Sequence, residues 1–103
     1  MKLIKKLSEM IDDEIDGARC YVKLALELKD ERPDTARILY NMSLAEMQHM
    51  ENLHAIVVEI IGEYRRTNGE PPAVMMGLYE YLHGKHIEDA TAVKVMQNTF
   101  KGV

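Results

Sequence analysis

Apolar residues recur along most of this chain at alternating steps of three and four, the period of an amphipathic helix. No segment shows the strict alternation of a half-buried strand. In the first third the stripe is Leu7, Met10 or Ile11, Ala18, Tyr21, Ala25 and Leu28, which predicts a helix from about Leu3 to Lys29. Residues 30–34 (DERPD) end it. Pro33 disfavours helical geometry at Arg32, and Asp34 is placed to cap the next helix. The second helix is predicted over about Thr35 to Arg65, on the stripe Leu39, Met42, Glu46, His49, Leu53, Ile56 and Ile60. So short a connection implies an antiparallel hairpin, with each arm ~40–45 Å long at a rise of 1.5 Å per residue. Residues 67–72 (TNGEPP) stop the second arm. Two shorter helices are predicted beyond, about Ala73 to Leu82 and Ile87 to Phe100, parted by Gly84 and acting as a cap, an arm or a second contact surface. The fold class is therefore all-α. A single helical domain spans residues 1–103, with the hairpin in 1–66 and a helical extension in 73–103.

Two positions on the second stripe are not apolar. Glu46 and His49 are three apart, so they share a helix face, and that face is the greasy one. A buried carboxylate without a partner costs several kcal/mol, on the order of the desolvation penalty of one ion. The first helix repeats the anomaly with Glu14, on the line from Leu7 through Ala18 to Leu28. Glu14 lies 18 residues before Arg32, and Glu46 and His49 lie 14 and 17 after it. In an antiparallel hairpin these positions fall at similar height, so three costly side chains converge on one layer.

A metal ion offsets that cost. Carboxylates are oxygen ligands that bridge two ions, and imidazole adds a nitrogen ligand suited to iron, manganese or zinc. Helical di-metal carboxylate sites use one Glu from each of two helices and a Glu-x-x-His from each of the other two. One chain supplies half of that set, and a two-fold dimer completes it. The alternative is a metal-free hydrogen-bonded Glu/His pair that sets dimer register. Asp12, Asp13 and Asp16 compete with Glu14 for the ligand role, although a solvated acidic face is their simpler reading. Gly17, a poor helix residue, either clears room beside Glu14 or is a tolerated surface glycine.

Residues 14–25 (EIDGARCYVKLA) and 45–53 (AEMQHMENL) resemble the first- and second-helix patterns of the ferritin-like and rubrerythrin superfamily. The half-length architecture is similar to encapsulated ferritins, where two short chains build one ferroxidase centre at their interface. This resemblance spans roughly residues 7 to 60. It implies a ferritin-like four-helix bundle formed by dimerisation, with Glu14, Glu46 and His49 as iron ligands, two ions per dimer, and Tyr21 beside the site. It also implies oxidation of Fe(II) as the reaction, with no catalytic residue assigned beyond the metal ligands. Residues 98–103 carry no cargo-targeting peptide of the kind encapsulated ferritins have, so an encapsulating shell draws no support from the tail.

Other features narrow the picture. The net charge of −4 and a pI near 5.5 leave no electrostatic footprint for nucleic acid. No apolar run reaches the ~18 residues a membrane span needs. Lys2, Lys5 and Lys6 are followed by Ser8, Glu9 and Asp12 rather than by the apolar core of a signal peptide. The lone Cys20 excludes an internal disulfide and a four-cysteine metal centre, and it fits a reducing, cytoplasmic setting. His54, five residues past His49, is expected at the rim. His83 and His86 flank the turn expected at Gly84 and read as loop residues, with a surface metal pair as the lesser alternative. The eight methionines read as pliable core. Met42, Met47 and Met50 stand near the proposed site, where strong peroxide chemistry would put them at risk of oxidation. No nucleophile motif or phosphate-binding loop points to another enzyme class.

Overall fold

The computed structural model describes residues 2–102. They form three helices: α1 (Lys2–Leu28), α2 (Pro33–Asn68) and α3 (Ala73–Lys101). They run up, down and up. At ~1.5 Å per residue α2 is as long as the molecule, whose largest dimension is 56 Å. Among the described residues no helix is long and apolar enough to cross a membrane.

The all-α class and the long hairpin agree with the periodicity. The second arm runs to Asn68, three residues past the predicted Arg65, and stops where Gly69, at φ 80°, turns its backbone N–H onto the Arg65 carbonyl at 3.1 Å. The start of that arm differs by two residues. Pro33 is the first helical residue and Arg32 precedes it as the cap. Proline is well suited there, since it lacks an N–H that would go unpaired and its φ is already helical. Asp34 therefore lies in the first turn, where its charge suits the positive end of the helix.

The predicted pair of short C-terminal helices is corrected to one. α3 passes unbroken through Gly77 and Gly84. A glycine in a helix costs ~1 kcal/mol relative to alanine, which packing on both sides offsets. Met76, Tyr79 and Met96 pack on the shared core, and His86, Ala90 and Val93 are buried within a turn or two of Gly84. At the far end Phe100 stacks on Tyr40, with ring centres 4.7 Å apart, and its carbonyl accepts a hydrogen bond from Lys29 Nζ. α3 is thus a third bundle member, parallel to α1, and not a cap or a loose arm.

The core runs along Ile4, Leu7, Ile11, Ile15, Ala18 and Val22 of α1, Met47, Val57 and Ile61 of α2, and Ala90 and Val93 of α3. On α2 this line lies one residue beyond the predicted stripe. Ser43, Met47 and Val57 are buried, while their predecessors Met42 and Ile56 are 39% and 44% exposed. One residue is ~100° of helix rotation. So beside its packed face α2 carries a neighbouring apolar line that is open at Met42 and Ile56, while Leu53 and Ile60 on the same line are partly buried against the core. α1 repeats this: Ile11 and Ile15 are buried, whereas Met10 and Leu24 on the neighbouring face are exposed.

Small residues set how closely α1 and α2 approach. Ala18, Ala25 and Ala36 are fully enclosed. Ser43 Oγ donates to the Ala18 carbonyl at 2.7 Å, and Gln97 Nε2 of α3 donates to Ser43 Oγ at 2.9 Å. That chain of two hydrogen bonds pins all three helices at one level. Ile15, 1% exposed, fills the layer just before it. Chemical denaturation should show Ile15→Ala losing ~2–5 kcal/mol of stability, the range for a buried isoleucine. Val95→Ala on the outer face of α3 should change it by no more than ~0.5 kcal/mol.

Candidate metal centre

The three anomalous side chains meet. His49 Nδ1 lies 3.3 Å from Glu14 Oε2 and 3.7 Å from Glu46 Oε1. One ligand atom from each residue can be chosen so that all three lie within 4.8 Å of one another. Antiparallel packing with a short turn brings Glu14 level with residues 35 positions later. The cluster lies at the seam of α1 and α2 on the face that α3 leaves open. The two glutamates are about one-quarter exposed and His49 about half. The trio is therefore on the shoulder of the core rather than inside it, because the α2 core follows Met47 and Met50 instead of Glu46 and His49.

The competing acids are placed elsewhere. Asp12 pairs with His86, Asp16 pairs with Arg19, and Asp13 is exposed. Glu14 alone of the four meets Glu46 and His49. Gly17 also has a defined role, and it concerns Glu46 rather than Glu14. A Cβ built on Gly17 would stand 3.0 Å from Glu46 Oε2. The glycine leaves the space in which that carboxylate sits.

The Glu46 carboxyl is pushed above the ordinary carboxylate range. The first cause is its hydrogen bond with Glu14, followed by burial and by the Glu14 charge, while His49 opposes the shift. Two carboxylates this close resist ionising together. A proton shared between them relieves the repulsion, and so does a bound cation. The set of two carboxylate oxygens and one imidazole nitrogen fits a first-row divalent ion with affinity for both oxygen and nitrogen ligands.

Three features escaped the sequence reading. His83 and His86 are helical rather than in a loop, and His86 is buried with its Nε2 2.8 Å from Asp12 Oδ1. His54 stacks on His83, with ring centres 4.6 Å apart, and Tyr79 stacks on His83 at 5.6 Å. His54 is partly buried, as a rim residue would be, yet its Nε2 is enclosed without a partner. The His-x-x-His spacing of residues 83 and 86 would have signalled a shared face once Gly84 was accepted inside a helix.

Compared with protein-family models, with curated proteins and with solved structures, this chain matches none.

The elevated Glu46 value has a sign that can be tested. An acid whose pKa is higher folded than unfolded stabilises the fold fully below its unfolded pKa. That contribution is lost as pH rises through the folded value. Carboxyl 13C NMR titration of the metal-free protein should show Glu46 titrating above the other glutamates. In Glu14→Ala it should return toward the ordinary range. Metal-free stability should fall with rising pH across that interval in the wild type and stay flatter in Glu46→Gln.

Proposed function

We propose that this chain is a ferritin-like metal protein that binds two iron ions between two copies of itself, through Glu14, Glu46 and His49 of each. The observation that carries the reading is the meeting of those three side chains across 35 residues of sequence, on an open face, with their ligand atoms within 4.8 Å of one another. Three ligands are too few to satisfy an ion pair, and a two-fold axis through the face doubles them.

The open face suits a second copy. It is lined on α1 by Leu3, Met10 and Leu24 and on α2 by Met42 and Ile56, all exposed and apolar. These are the positions one step behind the packed core. Pairing two hairpins through them makes a four-helix core with the polar cluster at its centre. Burial there strengthens the electrostatic attraction between carboxylates and cation.

Iron is the substrate in this reading, with manganese or zinc as competitors for the same ligands. Two Fe(II) ions each lose one electron, and the electron pair with two protons reduces dioxygen to hydrogen peroxide. The residues of the chain hold the ions close together and leave coordination positions open. A cation competes with a proton for the Glu46 carboxylate, so binding strengthens with pH. Gly17 keeps the Glu46 carboxylate within reach of Glu14.

A second reading has its own support. With one proton shared by the two glutamates and His49 Nδ1 3.3 Å from Glu14, the cluster is satisfied without any ion. It then acts as a polar key that sets the register of a dimer.

Metal analysis and light scattering separate the two. Wild-type protein given Fe(II) should hold two ions per dimer and absorb in the near ultraviolet on exposure to air. Glu46→Ala should lose the iron, and chelation should weaken the wild-type dimer. A colourless dimer indifferent to chelators, with equal trace metal in wild type and Glu46→Ala, would leave the polar-key reading standing.

Gly17→Ala probes the positioning. Its added methyl favours the helix by up to ~1 kcal/mol but displaces the Glu46 carboxylate. Iron affinity should therefore fall while thermal stability holds or rises, which calorimetry on the same sample can read.

A further inference from the structure

On the opposite side of α1 a second group of chemically capable side chains surrounds a cavity of about 270 Å³. His54 of α2 and His83 and His86 of α3 line it, together with Glu51 and Lys94. We propose that this cavity binds one divalent transition ion of the nickel or zinc class, in a site separate from the Glu14, Glu46 and His49 cluster.

Each histidine contributes a distinct observation. His86 is buried, and its Nε2–H donates to Asp12 at 2.8 Å. A carboxylate on one ring nitrogen fixes the tautomer and leaves the other nitrogen with a free lone pair, which is how metal-binding histidines are commonly held. His54 has an enclosed Nε2 with no hydrogen-bond partner, and among the described residues it is the buried side-chain nitrogen left in that state. Buried polar atoms without partners call for a reason, and an ion supplies one. His83 lies between His54 and Tyr79. Burial and the neighbouring imidazoles make it harder to protonate.

The chemistry favours this ion class over others. Three imidazoles and at most one carboxylate suit late first-row divalent ions, with affinity rising toward nickel and copper, and suit magnesium or calcium poorly. Glu51 can supply the oxygen. Lys94 is exposed on a flexible stem and can swing its charge away from the cavity. The donor atoms of His54, His83 and His86 do not converge as the side chains stand, and the nearly parallel stack of His54 and His83 must splay for both to reach one ion. His54 gives up no hydrogen bond at Nε2 in turning.

The cavity shares no ligand with the Glu14, Glu46 and His49 cluster, so the test is run with that cluster silenced. The full chain, untagged and carrying Glu46→Ala and His49→Ala, is titrated calorimetrically with Ni2+ near neutral pH, with Mg2+ as the control. One Ni2+ per chain should bind with micromolar or tighter affinity, and Mg2+ should not. His54→Ala and His83→Ala, at partly exposed positions, should each weaken binding at least tenfold. Asp12→Asn should weaken it ~10–100-fold, the usual cost of removing a carboxylate behind a ligating histidine. Histidine NMR on the wild-type chain is the second readout: Zn2+ should shift the His54 and His83 resonances and relieve their mutual ring-current effect. The proposal is overturned if the silenced chain takes up no Ni2+, or if His54→Ala and His83→Ala leave uptake unchanged. It is equally overturned if Zn2+ leaves the wild-type His54 and His83 signals in place.

Discussion

The register of α1 against α2 is the constraint on which the rest depends. It is held by contacts with little latitude. Ala18 and Ser43 are fully buried, Ser43 Oγ donates to the Ala18 carbonyl, and Gln97 Nε2 of α3 donates to Ser43 Oγ. Sliding α2 by one turn would break both hydrogen bonds, and sliding α1 would break the first, inside a packed interior where unpaired polar groups are expensive. The candidate centre is one turn away. Glu14 precedes Ala18 by four residues, and Glu46 follows Ser43 by three. The hydrogen-bonded layer that locks the helices therefore also brings the two carboxylates opposite each other. Gly17 supplies the remaining condition, because any side chain there would crowd Glu46.

Much of this was legible in the residues, for identifiable reasons. A 3–4 period sustained over long segments dictates helix, and Pro33, Gly69 and Pro72 punctuate it with little ambiguity. Level placement of Glu14 with Glu46 and His49 needed only an antiparallel hairpin and a count from the turn. The phase of α2 was less accessible. Its two apolar lines, Leu39 through Ile60 and Ala36 through Ile61, are offset by one residue, and each satisfies the helical period. A period identifies a face without naming the partner that covers it. Glu46 and His49 lie on the line that the chain leaves partly open, so their anomaly belongs to a surface and not to the internal core.

Gly84 shows the opposite failure. Local propensity argues for a break there, yet the helix continues because burial on both sides outweighs ~1 kcal/mol of intrinsic cost. The misreading had a chemical consequence. With a break at Gly84, His83 and His86 fall in a loop and have no relation to each other. With the helix intact they come round to the same side, above His54 and within reach of Asp12.

The acidic run Asp12, Asp13, Glu14 shows how one short segment can serve two chemistries. Successive residues on a helix diverge by ~100°. Asp12 thus meets α3, Asp13 meets solvent and Glu14 meets α2. Asp12 orients an imidazole in a nitrogen-rich cavity, whereas Glu14 stands beside another carboxylate. The first setting favours borderline ions bound by nitrogen, and the second favours ions that tolerate oxygen bridging. The two settings also respond differently to acid. The Glu46 carboxyl is raised by its hydrogen bond with Glu14 and by burial, whereas the His83 imidazole is lowered by burial and by His54 and His86. Because α1 is shared, the turn that carries Asp12 to His86 also carries Glu14 to Glu46 and His49, so the two clusters sit back to back on one helix.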